Sequence, residues 1–147
     1  MTNLFEFPRQ RALYLSGATS SQARYCDSIG LIHPYKWGNP KKPNCRYSYG
    51  QVIGLAFWAQ STIATSQLRP ADPIRQIVEY IITAVDNDRE PDGWLVAMPD
   101  GVVEVDQDNL GWYLGRLAIA QPDGIVHLHA AAPISALIAT VEQRLRD

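Results

Sequence analysis

Cysteine, histidine and long apolar runs are all scarce in this chain. Only two of its 147 residues are cysteine, Cys26 and Cys45. That is too few for a secreted disulfide scaffold, or for a four-thiolate zinc or iron–sulfur site. No apolar run approaches the roughly 18 to 20 residues that cross a bilayer as a helix, so no membrane role is expected. The opening MTNLFEFPRQR lacks the basic-then-apolar shape of a secretory signal, and a reducing cytoplasm is the expected compartment. Nucleophile-elbow, P-loop and HExxH patterns are absent, and the carboxylates fall into no paired catalytic spacing, so neither an enzyme nor a bound cofactor is expected. A hydrophobic fraction of 46% and a charged fraction of 19% match a globular chain. The length suits one compact domain, or two small ones sharing a core.

The net charge of -2 conceals an uneven distribution. Residues 1–60 carry seven Lys and Arg against two carboxylates, whereas residues 61–147 carry six arginines against thirteen carboxylates. A basic half joined to an acidic one points to a polyanion as partner of the first.

Local signals divide the basic half into elements. Pro8 suits a helix start and Gly17 a left-handed helix end, which predicts a short helix over RQRALYLS. Thr19-Ser20-Ser21-Gln22 matches a capping box and opens a second helix, SSQARYCDSI, that stops at Gly30. Ala23, Cys26 and Ile29 share its inner face, leaving Ser20, Ser21, Arg24, Tyr25 and Ser28 elsewhere. Two short helices about a tight turn make a helix-turn-helix. Residues 33–47 are too rich in Gly, Pro and Asn for a helix, so a loop or short hairpin carries Lys36, Lys41, Lys42 and Arg46. Ser48 then caps a third helix to about Gln60. Asp72-Pro73 opens a fourth, with Ile74, Ile77, Val78, Ile81, Ile82 and Val85 in amphipathic register.

The polar segment NDREPDG marks a boundary at 87–93. Beyond it, LVAM-PDG-VVEV reads as a hairpin turning at Asp100-Gly101, and Pro122-Asp123-Gly124 marks a second turn. Up to four antiparallel strands follow from these signals, although 108–120 suits a helix equally. Pro133 opens a terminal helix with Ile134, Leu137, Ile138, Val141 and Leu145 on one side.

GATSSQARYCDSIGLIHP (17–34) resembles the recognition-helix signature of MerR-type winged-helix transcription regulators. The shared positions are Gly17, Arg24, Tyr25, Ile29, Gly30, Leu31 and Pro34, with Thr19 for the capping Ser and Asp27 for a Glu. CRYSYGQVIGLAFW is similar to that family's wing-and-helix segment at Arg46, Tyr47, Tyr49, Val52, Leu55 and Phe57. Order and spacing agree over 9–58. The resemblance implies an N-terminal winged helix-turn-helix of about four helices (1–86). With the turn and helix signals beyond it, where the chain departs from that family, the expected fold is α+β, ending in a small antiparallel sheet of two to four strands and a C-terminal helix (87–147). The first part would bind double-stranded DNA and the second would dimerise or receive an effector.

The helix 19–29 would then enter the major groove and the basic loop 33–47 would grip the backbone. Ser20, Ser21 and Gln22 stand at the helix start, where base edges come within reach, although Gln22 is also claimed by the capping box. The resemblance assigns Arg24 and Tyr25 to phosphates and places Arg46 and Tyr47 as backbone clamps, beside the wing lysines Lys36, Lys41 and Lys42. Five phosphate contacts imply a salt dependence of slope about −4 to −5.

A homodimer on a palindromic site is expected, yet the fourth helix is short for the family's usual dimerisation coil. With no cysteine after position 45, thiolate metal sensing is excluded. His127 and His129 would share a strand face, but a third ligand is not evident, so no metal site is expected. Cys26 is expected as an inert core thiol and Trp37 as an anchor of the loop on the core, whereas Trp94, Trp112 and Tyr113 would fill the core, line a ligand cavity or seal a dimer, core filling being favoured. The alternative reading is a winged-helix adaptor or architectural protein, its acidic half offered to a protein partner.

Overall fold

The computed structural model describes residues 5–60, 73–98, 100–120 and 134–147, and within these no side chain of Pro73 or of 117–120. Among the described residues the fold is mixed α+β, with six helices and two small antiparallel sheets. In chain order these are β1 (Phe5–Pro8), α1 (Arg9–Ser16), α2 (Ser20–Ser28), β2 (Tyr35–Trp37), β3 (Asn44–Ser48), α3 (Tyr49–Gln60), α4 (Pro73–Asp86), β4 (Trp94–Met98), β5 (Gly101–Val105), α5 (Gln107–Ala120) and α6 (Ile134–Arg146).

The turn between α1 and α2 is built from local chemistry. Gly17 takes φ +76 and donates its N–H to the Leu13 carbonyl at 2.9 Å, a left-handed helix end that glycine adopts without strain. Thr19 Oγ1 accepts from the Gln22 N–H at 3.1 Å while Gln22 Oε1 accepts from the Thr19 N–H at 2.8 Å, closing the capping box. Ala23 and Cys26 are buried beneath α2, as its spacing requires. Residues 33–47 form a hairpin, β2 pairing antiparallel with β3 from Tyr35↔Arg46 to Trp37↔Asn44. The short segment FEFP adds β1 on the other edge of β3, giving the sheet order β1-β3-β2.

Helix α3 is the centre of the molecule, with every residue from Gly50 to Trp58 buried. A helix apolar on all sides has to be surrounded, and α1, α4 and α6 all pack on it. Its approach to α4 is close because Gly50 and Gly54 present no side chain there. A Cβ on Gly50 would lie 2.7 Å from the Ile82 carbonyl oxygen, and one on Gly54 3.2 Å from Ile82 Cγ1. At the start of α3, Ser48 and Gln51 form a second capping box, each N–H donating to the other's side-chain oxygen at 3.0 Å. Asp86, the last residue of α4, adds its carboxylate there, accepting from the Gly50 N–H and the Ser48 hydroxyl at 2.8 Å each. An anion at a helix N-terminus is favoured by the exposed N–H groups.

Strands β4 and β5 pair as the expected hairpin, Met98 opposite Gly101, which takes φ +138. Gly93 precedes it at φ +73, where a Cβ would meet the Val105 carbonyl oxygen at 2.4 Å. Residues 107–120 are helix α5 rather than a strand, so this sheet has two strands among the described residues. Asp106 caps α5 by accepting from the Asn109 N–H at 2.9 Å. The second turn at 122–124 and both His127 and His129 lie outside the described residues.

The core does not stop at the polar segment 87–93. Leu95, Ile134, Leu137, Ile138 and Val141 belong to the same buried cluster as Leu15, Cys26, Tyr47 and Leu55. Arg144 of α6 donates to the Leu15 carbonyl at 3.1 Å and so closes the C-terminal end of α1. No helix among the described residues is long and apolar enough to cross a membrane.

Candidate nucleic-acid interface

Helix α2 presents a polar edge. Ser20, Ser21, Arg24 and Ser28 are exposed, and Arg24 makes no ion pair with any described residue. Gln22 is half-buried and engaged on both sides of the capping box, so its amide is committed to the helix start. Tyr25 is half-buried, its ring stacked on Trp58 of α3 with centroids 5.7 Å apart and planes 24° from parallel. The far end of α2 is held by Arg75 of α4, whose guanidinium donates to the Ile29 carbonyl at 3.2 Å.

The hairpin is fastened to α2 through Asp27. Its carboxylate holds His33 Nδ1 at 2.6 Å and pairs with the Lys36 ammonium. Partial burial raises the Asp27 carboxyl, but Lys36 and His33 outweigh it and hold its pKa below the usual carboxylate value. The root of the hairpin is further fixed by Gln51, whose amide donates to the His33 carbonyl at 2.8 Å. Lys41 and Lys42 lie exposed in the turn beyond β2, where Asn39 organises the backbone by accepting from the Lys41 N–H at 3.0 Å.

Arg46 and Tyr47 part company. Arg46 faces outward on β3, donating to the Glu6 carbonyl at 3.0 Å and standing 6.0 Å over the Trp37 ring. Tyr47 faces the core with 0% exposure and pairs across the sheet with buried Phe7. Neighbours on a strand point to opposite faces, so the two cannot clamp one backbone together. Tyr47 is therefore corrected from a contact residue to a core residue. Burial pushes its phenol up, with the Arg9 guanidinium pulling the other way.

Cys26 is fully buried, and burial pushes its thiol up to about 12, which makes it inert at neutral pH. Trp37 does not anchor the hairpin on the core; it is 40% exposed and stacks on Tyr35. Trp94 is half-buried against the core, whereas Trp112 on α5 is 59% exposed beneath the Arg116 guanidinium.

Three features of this region escape a reading of the sequence: strand β1, the Arg75 tie to α2 and the outward aromatic face of the sheet. The alternation in Tyr35-Lys36-Trp37 is the signal for the last.

No family model, curated protein or solved structure matches the chain.

Proposed function

We propose that this protein is a DNA-binding transcriptional regulator of MerR-like, winged helix-turn-helix type. In this reading α2 lies in the major groove of double-stranded DNA and the β2–β3 hairpin is the wing on the sugar–phosphate backbone. The observation that carries it is the joint between the two. Asp27 and His33 link α2 to the hairpin, so the exposed edge Ser20–Ser21–Arg24 and the cations Lys36, Lys41, Lys42 and Arg46 belong to one tied unit. Ser20 and Ser21 face base edges in this arrangement, while Arg24, Lys41, Lys42 and Arg46 hold phosphates. Tyr25 supports the helix from behind through Trp58.

The test is selection from a random duplex pool. An enriched inverted-repeat motif is expected, and Arg24→Ala should abolish the enrichment. With Arg24, Lys41, Lys42 and Arg46 on phosphates, and Lys36 held by Asp27, the log of affinity should fall against log salt with a slope of about −4. A pool that returns no consensus removes the regulator reading.

The homodimer belongs to the same proposal, but not through α4. Its residues Ile74, Ile77, Val78 and Ile81 are buried within the chain's own core, leaving no apolar stripe for a coiled coil. The adaptor reading is favoured by one observation, exposed Trp112 in the acidic half. A large exposed aromatic of this kind suits a protein partner or a second copy. Mass measurement in solution, with Trp112→Ala alongside, separates these.

A further inference from the structure

The outer face of the three-stranded sheet carries aromatic rings that the duplex reading leaves unused. Tyr35 and Trp37 are two residues apart on β2 and so share a face. Arg46 stands opposite Tyr35 in the register, and Phe5 of β1 completes a row. On the reverse face Phe7 and Tyr47 are buried, so one side of the sheet serves the core and the other displays rings. Tyr35 is 55% and Trp37 40% exposed. An open groove of about 570 Å³ runs between Phe5, Tyr35, Trp37 and Arg46.

We propose that this face is a base-stacking platform for single-stranded nucleic acid, separate from the α2 edge. The spacing of the rings is the first argument. Phe5–Tyr35 and Tyr35–Trp37 centroids lie 5.8 and 5.6 Å apart, their planes tilted by 33° and 27°. Successive bases in a duplex strand rise by about 3.4 Å, so they cannot meet successive rings, and their faces are already covered by one another. A stretched single strand has unstacked faces at adjustable spacing, and base–aromatic stacking tolerates any sequence.

Charge is the second argument. The Arg46 guanidinium sits at the edge of the row, its Nη1 donating to the Glu6 carbonyl and no other donor engaged among the described residues. Lys41 and Lys42 stand exposed in the connection from β2 to β3, in the half of the chain with a large cationic excess. Rings that take base faces, flanked by cations that take phosphates, match this one polyanion in both of its parts.

The experiment is fluorescence anisotropy of the full chain with end-labelled oligodeoxyuridine, oligouridine and an abasic deoxyribose–phosphate chain of equal length. Binding of either base-bearing strand is expected, with the abasic chain at least about ten-fold weaker. Tyr35→Ala and Trp37→Ala should each weaken binding by about ten-fold, whereas Tyr35→Phe and Trp37→Phe keep the ring and should retain it. Arg24→Ala should leave single-strand binding unchanged, so loss of duplex selection and loss of this platform are read separately. Oligodeoxyuridine and oligouridine differ only in the 2′-hydroxyl, and the ratio of their binding names the preferred sugar. Equal affinity for the abasic chain, no binding of any strand, or a loss on Arg24→Ala that matches the loss on Trp37→Ala would each overturn the proposal.

Discussion

Asp27 is a single carboxylate on which two elements depend, since it joins the end of α2 to His33 and Lys36. Its pKa in the folded protein lies below the usual carboxylate value. The same direction holds for Glu104. Burial raises that carboxyl, but the Tyr80 hydroxyl, the Arg89 guanidinium and the Asp92 N–H more than compensate. Near these values the unfolded chain binds more protons than the native one, so stability rises with pH there. The contribution is fully present above the ordinary carboxylate pKa of about 4 and disappears as pH falls through the lower, native value. Denaturant titrations across the acid range should therefore show a falling limb, which Asp27→Asn combined with Glu104→Gln flattens. A limb of unaltered steepness in the double variant would show that these two carboxylates are not its source.

At the scale of elements, close approach and capping across the chain decide the arrangement. In an exposed helix Gly→Ala gains about 1 kcal/mol. At Gly50 the added methyl would lie 2.5 Å from Asp86 Oδ1 and 2.7 Å from the Ile82 carbonyl oxygen. Gly50→Ala should therefore destabilise the protein by about 1–3 kcal/mol, the cost of overpacking, as measured by a lowered denaturation midpoint. A neutral or stabilising result would mean that α3 and α4 separate at little cost.

The same scale explains what the sequence discloses. Thr19 with Gln22, and Ser48 as a helix cap, are legible because a local cap joins residues three apart. The ties from Asp86 to Gly50, Arg75 to Ile29 and Arg144 to Leu15 span 36, 46 and 129 positions, and nothing local announces them. Strand β1 is hidden for a similar reason, because four residues carry too little pattern without the β3 edge that completes them. Residues 107–120 are ambiguous by composition, yet Asp106 was a readable N-cap. Of the ten residues expected at the interface, the core claims Tyr47, because strand alternation turns it inward beside an outward Arg46. Tyr25 packs on Trp58, the Gln22 amide is spent in the capping box and Lys36 pairs with Asp27.

Among the described residues a large buried cluster, to which both charged halves contribute, stands beside a small one of Val96 and Val105 under α5; the large one organises the fold. A chain ending at Asp86 would lose Leu95, Ile134, Leu137, Ile138 and Val141 from that cluster and uncover α1 and α3. The full chain should melt in a single cooperative transition, whereas the shortened chain should show none and should bind a hydrophobic dye. A shortened chain that melted cooperatively would make the first 86 residues an independent unit after all.

The lid that α6 places on α1 has a temporal side as well. A ribosome delivers the chain from its N-terminus, so α1 and α2 emerge long before the Arg144 guanidinium that finishes α1. Until residues 134–146 are released, the newborn α1 lacks the guanidinium that closes its C-terminal end.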